Sequence, residues 1–332
     1  MVGRANVANR GDAEIKVGLY SITYLGVWYR GGALTLEEVV QRAKKFGYDG
    51  IEIDGKRPHG NPLDMPKARC EQLRKYANDQ GIEIYAVAAN NDFSSPIPEH
   101  YESQLLSMRE LIAMTQNLGA KLLRVFLAWP GVTLTPGGGA TYDIAKSAWK
   151  QMHESFADEQ IWEWCREALV ETSRYAADYG ITLALQNHPP VVKSYQDCMR
   201  MVREVGSPQL KVCFDGRLEK KLGDEAVERA ALEVGPLQVL SHYGGEYDEG
   251  PNGITITPGE KCEPEVRALV QMGYRGYVGY ELCHTLPQVE GRAPGIDFVD
   301  KNARLALRYM RNLIAEAKQQ ETAGRTFSRS AD

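Results

Sequence analysis

The chain of 332 residues contains no run of about 18 apolar residues, the minimum for a helix that spans a bilayer. Residues Met1 to Ile15 are polar and lack the apolar centre of a secretory signal. The expectation is a soluble, cytoplasmic protein with no membrane partner. Cysteine is sparse. Its six copies (Cys70, Cys165, Cys198, Cys213, Cys262 and Cys283) are scattered, with no Cys-x-x-Cys pair. That pattern argues against a disulfide or zinc-thiolate framework and reads as small buried hydrophobes. An excess of charge is also missing. A formal net charge of −5, with acids and bases mixed along the chain, leaves no basic footprint for a nucleic acid. Nor does a glycine-rich phosphate loop follow the first strand, which argues against a doubly wound dinucleotide-binding sheet.

What is present is a repeated alternation of short β-rich runs with longer amphipathic ones, punctuated by Gly, Pro, Asn and Asp. Strands are expected at Lys16–Tyr24 (KVGLYSITY), Gly50–Asp54 (GIEID), Ile82–Ala89 (IEIYAVAA) and Lys121–Trp129 (KLLRVFLAW). Four more follow at Ile181–Asn187 (ITLALQN), Leu210–Asp215 (LKVCFD), Leu237–Tyr243 (LQVLSHY) and Tyr277–Cys283 (YVGYELC). Helices fall between them. The first starts at Thr35, a capping hydroxyl, and stops before Gly47. The last spans Phe298 to Lys318. Eight such pairs close a barrel. The expected organisation is a polar tail over 1–15, one (β/α)8 barrel over 16–318 and a disordered polar tail over 319–332. Two long segments, Pro130–Asp158 (with a Gly/Pro-rich break at Pro136–Gly139) and Glu246–Glu263, leave C-terminal strand ends and would form extended rim loops.

Barrel enzymes carry their reactive groups at those strand ends. There the sequence offers Asp54, Asn90 and Asn91, then Gln186, Asn187 and His188, then Asp215 with Arg217, then His242 and Glu281. Gln186, Asp215, His242 and Glu281 come from four successive strands. Together they form a donor set suited to one divalent ion, Mn2+ foremost, with Mg2+, Co2+ or Zn2+ as alternatives. Glu281 lies in an apolar run, so it needs a cation, either a metal or a basic side chain. His188, two residues past Gln186, shares its side of the strand and is either a proton carrier or a loop-stabilising ring ahead of Pro189. Arg217 either binds substrate oxygens or pairs on the surface with Glu219. Asp54 and Asn90 are further candidates for binding substrate.

The stretches ITLALQNH, LKVCFD, LQVLSHYGGE and GYVGYELCH, with the opening KVGLYSITY and LEEVVQRAKKFGYDGIEI, resemble the xylose-isomerase-like barrel superfamily over residues 16 to 316. That superfamily includes sugar isomerases, ketose 3-epimerases and endonuclease IV. The resemblance implies a TIM barrel, a metal held by Gln186, Asp215, His242 and Glu281, and proton transfer on a small sugar-like substrate. Two positions depart from it: Gln186 stands where the family usually has Glu, and Arg217 where it often has His. An amide cannot act as one of two metal-bound acid–base groups, so one-sided proton abstraction beside a carbonyl, by His188 or Glu281, fits better than symmetric epimerisation. The chain also looks like the large subunit of bacterial C-glycoside deglycosidases, which implies a lyase that cleaves 3-oxo-glycosides by β-elimination. In that case a small second subunit would dock on the rim loops; a homo-oligomer is the other expectation. The competing readings are a sugar isomerase or 3-epimerase and a non-catalytic sugar-binding subunit. The few histidines and the negative net charge disfavour an endonuclease.

Overall fold

The computed structural model describes residues 14–134, 140–219, 222–257, 262–288 and 291–329, with side chains to residue 323. Eight parallel strands close on themselves: β1 (Lys16–Tyr20), β2 (Gly50–Asp54), β3 (Glu83–Ala88), β4 (Leu122–Val125), β7 (Thr182–Gln186), β8 (Leu210–Cys213), β9 (Gln238–Tyr243) and β12 (Tyr277–Tyr280). The β1–β12 pairing, with Gly18 beside Gly279, seals the barrel. Helices α1 (Leu36–Phe46), α2 (Lys67–Asp79), α3 (Pro98–Asn117), α5 (Asp158–Tyr179), α6 (Tyr195–Val205), α7 (Asp224–Val234), α8 (Glu263–Gln271) and α9 (Ile296–Arg329) surround it.

Local chemistry sets these boundaries. The Thr35 hydroxyl accepts from the Glu38 amide while the Glu38 carboxylate accepts from the Thr35 amide, a reciprocal cap for α1. Gly47, at φ 96°, ends the same helix in a conformation that a side chain disfavours. Along each strand the two side-chain sets part company, as period two requires. Ile51 and Ile53, Leu123 and Val125, and Leu183 and Leu185 join the core beneath the helices. The alternate residues fill the barrel.

The strand interior changes character from one end to the other. At the N-terminal end Tyr85 stacks on Tyr277 with ring centroids 3.8 Å apart, beside Ala86, Ala184, Cys213 and Leu240. Glycines make room for these rings: a Cβ at Gly18 would lie 2.3 Å from the Tyr85 ring. Towards the C-terminal end the filling becomes ionic.

Several boundaries differ from the sequence expectation. The first strand ends at Tyr20, and Ser21–Tyr24 turns as a 3-10 helix. The Pro130–Asp158 segment holds a short pair, β5 (Thr133–Leu134) with β6 (Ala140–Thr141), and a helix α4 (Asp143–His153). The Glu246–Glu263 segment carries the hairpin β10 (Tyr247–Gly250) and β11 (Gly253–Ile256). The last helix continues past Lys318 to Arg329, through most of the stretch read as a polar tail. Residues 1–13 of the expected N-terminal tail, the Gly/Pro-rich break at 136–139 and residues 330–332 lie outside the described residues.

Candidate active site

A cavity of about 550 Å3 opens at the C-terminal end of the barrel, within the range of small-molecule sites. Asp54, Asn90, Arg124, Gln186, His188, Asp215, Arg217 and Glu281 all line it. Apart from Arg124, every one was picked out from the sequence as a strand-end candidate. His242 lies one layer deeper, 1% exposed, beneath the same floor.

Two guanidinium groups organise that floor. Arg124, from the middle of β4, donates through Nε to Glu52 Oε1 at 2.9 Å and through Nη1 to Gln186 Oε1 at 2.6 Å. The other Glu52 oxygen lies 2.6 Å from His242 Nε2. Arg217 holds both Asp215 oxygens, from Nε at 3.1 Å and Nη2 at 2.8 Å, and Nη2 also reaches Glu281 Oε1 at 2.7 Å. Such charge-assisted, forked bonds are the strong kind. The need of Glu281 for a cation is therefore met by a basic side chain. Arg217 does not pair with Glu219; the Glu219 carboxylate accepts instead from Asn187 Nδ2 at 2.9 Å. Behind Asp215 the buried Glu265 accepts from the Gly216 amide and the Ser241 hydroxyl, which fixes the turn after β8.

The electrostatics follow from these pairs. Burial would raise the Glu281 pKa, but Arg217, His242 and Arg124 outweigh it and bring it down to about 2. Glu52 behaves alike: burial pushes its pKa up, and His242 and Arg124 bring it below the usual carboxylate range. Glu281 is thus held as an anion, with Oε1 engaged by Arg217.

His188 meets different conditions. Its Nδ1 lies 2.6 Å from the Pro189 carbonyl oxygen, so that nitrogen carries the proton and Nε2 keeps the lone pair. The ring packs edge-on against Phe126 and Trp129. Burial lowers its pKa, with partial opposition from the Pro189 bond. The imidazole is neutral at pH 7 and lines the cavity with a basic nitrogen. Its tie to Pro189 is also the loop contact foreseen as the alternative; one bond serves both purposes.

Asp54 ends β2, three strands round the barrel from the β7 that leads to His188. It is fully buried, with Oδ1 accepting from Asn90 Nδ2 at 2.7 Å. Its Oδ2 has no hydrogen-bond partner, and the Lys56 ammonium stands 3.7 Å away. An orphaned carboxylate oxygen in a cavity wall suits a hydroxyl group of a ligand. Trp28, Trp129, Tyr142, Val27 and Val132 add apolar and aromatic surface to the same cavity, alongside Lys56, Lys146, Glu246 and His284.

The divalent ion expected at Gln186, Asp215, His242 and Glu281 does not fit this donor set. Gln186, Asp215 and Glu281 direct their oxygens at guanidinium N–H bonds, and His242 Nε2 faces Glu52. Among the described residues no group of three or more His, Cys, Asp or Glu side chains is arranged to hold a metal ion.

Glu52 and Arg124 were not among the expected site residues. Each is a charged residue inside an apolar strand run, GIEID and KLLRVF. The reasoning applied to Glu281 would have found them, since a buried charge implies a partner.

Comparisons with known proteins agree with the architecture. Residues 40–312 match the model of the xylose isomerase-like TIM barrel family. The chain is 26% identical to a fructoselysine 3-epimerase of Shigella flexneri over 261 residues, covering 75% of this chain and 86% of that protein. A crystal structure of a D-psicose 3-epimerase in the presence of D-fructose superposes with a TM-score of 0.67 at 19% identity, over 90% of this chain and 99% of that one. The apo 3-keto-D-glucoside 4-epimerase from E. coli gives 0.65 at 17% identity, over 90% of this chain and all of that one (100%). With the closed eight-stranded barrel and the family match over most of its length, the chain belongs to the xylose isomerase-like TIM barrel family.

Proposed function

We propose that the protein is an enzyme that removes a proton from the carbon beside the carbonyl of a keto-sugar, with His188 Nε2 as the base. The observation that carries this reading is the His188 ring, anchored through Nδ1 to Pro189 and lining a cavity that the Arg124 and Arg217 guanidinium groups, from the two flanking strands, also line. The C–H bond breaks towards Nε2 and its electron pair moves onto the carbonyl oxygen. The resulting enolate is stabilised by the Arg124 and Arg217 guanidinium groups. Asp54 and Asn90 bind hydroxyl groups of the sugar. No step is assigned to manganese or another divalent ion.

Return of a proton to the other face of the enolate gives an epimer, the outcome that the named epimerase relatives support. A second outcome is favoured by the aromatic surface that Trp28, Trp129 and Tyr142 add to the cavity. There the enolate expels a leaving group from the β-carbon, as in the lyase reading of a 3-oxo-glycoside, and that surface holds the departing aglycone. Incubation of the protein in D2O with D-fructose and, separately, with a 3-keto-glucoside tests both. Deuterium at the carbon beside the ketone supports the proposal. A new sugar epimer then selects epimerisation, and release of the aglycone selects elimination. Binding of both sugars without any exchange would contradict the proposal and leave a sugar-binding subunit.

A further inference from the structure

We infer that Arg124 and Arg217 occupy, as permanent residents, the position that a divalent cation would take among Gln186, Asp215 and Glu281, so that this chain carries its positive charge covalently. The inference rests on the proposed enolisation for its purpose, but on the geometry of the floor for its substance.

The first ground is how the donors are used. Arg217 lies between Asp215 and Glu281 and bonds to three of their four carboxylate oxygens. Arg124 takes the Gln186 amide oxygen and one oxygen of Glu52. A dication placed among these oxygens would have to displace the N–H bonds and would face two full positive charges at close range.

The second ground is that both guanidinium groups have seats built for them. Arg124 lies over the Tyr20 ring at 4.8 Å and the Phe126 ring at 5.2 Å, a cation–π arrangement supplied by two different strand ends. Arg217 is accommodated by the missing side chain of Gly244: a Cβ there would lie 2.1 Å from Arg217 Nη1. A metal site that had merely collapsed would not need either provision. The third ground is charge. With Gln at position 186, the carboxylates of the floor are Glu52, Asp215 and Glu281, and each accepts from one of the two arginines.

The arrangement also leaves donors for substrate. A guanidinium carries five N–H bonds; the contacts above use two on Arg124 and three on Arg217. Both residues line the cavity, so the developing oxyanion can be held by guanidinium N–H groups.

The test is Mn2+ binding to the full chain after dialysis against EDTA, read from the electron paramagnetic resonance signal of free Mn2+. Wild type is expected to show no saturable uptake at micromolar Mn2+. The Gln186→Glu/Arg217→Gln double variant, which adds a carboxylate and removes a cation, is expected to take up one ion per chain. Stoichiometric uptake by wild type would overturn the inference, whatever the double variant does. If the double variant does not fold, Gly244→Ala replaces it, because the added methyl would lie 2.1 Å from Arg217 Nη1 and 2.8 Å from the Glu281 carbonyl oxygen, and the side chain is the part free to move: circular dichroism checks its fold, and saturable Mn2+ uptake by it, absent in wild type, is the supporting result. Equal and negligible uptake by wild type and by a folded variant would overturn the claim that arginine holds the place of a metal. Because the readout needs no turnover, these outcomes stand even if deuterium exchange fails and the proposed reaction falls.

Discussion

The two ends of the barrel interior are filled by opposite chemistries on the same strands. Near the N-terminal end, Tyr85 and Tyr277 stack among alanine, leucine and cysteine side chains, with glycines giving way to the rings. A few residues further along, Glu52, Arg124, Asp215, Arg217 and Glu281, with His242 just beneath, form a connected ionic network. Hydrophobic filling is the inexpensive solution for a barrel core, whereas burying charges costs several kcal/mol per ion before pairing returns any of it. Strands that solve the packing problem cheaply at one end and expensively at the other mark where function sits.

That contrast can be broken most severely at Arg124. The Arg124→Met variant keeps much of the volume but leaves Glu52 without one of its two partners and Gln186 Oε1 without a donor. A loss of about 3–5 kcal/mol is expected, measured by urea unfolding followed by circular dichroism. Acid reaches the same network from another direction. Glu281 has a folded-state pKa of about 2, below the ordinary value near 4.3. The stability it contributes is therefore fully present above the ordinary value and is lost as pH falls towards 2. Thermal melts of wild type and Glu281→Gln should diverge at neutral pH and converge in that acid window. The smallest effect is expected at the other end. The buried Tyr85 hydroxyl has no hydrogen-bond partner, so Tyr85→Phe removes an unsatisfied group and keeps the stack. Its unfolding free energy should equal or exceed that of wild type, within about 1 kcal/mol. A large loss there would mean that the lower layer is as dependent on polar contacts as the upper one.

Exchange chemistry sharpens the comparison by pH. With burial lowering the His188 pKa, the base is unprotonated at neutral pH and is lost as pH falls. The acid limb of the deuterium-exchange rate should have its midpoint below about 6.5; a midpoint above that value would assign the proton transfer to another group.

The barrel was legible in the sequence because each strand alternates its faces and each helix brings its own stop. Thr35 with Glu38 and then Gly47 mark α1 without reference to anything distant. The strand ends named the cavity wall for the same reason, since alternation fixes which of Gln186, Asn187 and His188 share a face. The pairings were not legible. Arg124 meets Gln186 across 62 positions and Glu52 meets His242 across 190, and which cation serves Glu281 depends on how far the Arg217 side chain reaches. The β5–β6 pair and the β10–β11 hairpin escaped notice because they lie in segments rich in turn residues, where local pattern is weak; the α4 helix, DIAKSAWKQMH, was passed over inside one of those segments. The extension of α9 beyond Lys318 has a simpler cause. Residues such as Gln319, Gln320, Glu321 and Ala323 are good helix formers even without an apolar face.

The most direct measurement is the rate of deuterium incorporation beside the ketone, compared between wild type and His188→Gln after circular dichroism has shown both to be folded. The account predicts that the variant loses at least about 10²-fold in exchange while still binding the sugar. Exchange at the wild-type rate in folded His188→Gln would contradict it, because the nitrogen proposed to take the proton would then be dispensable.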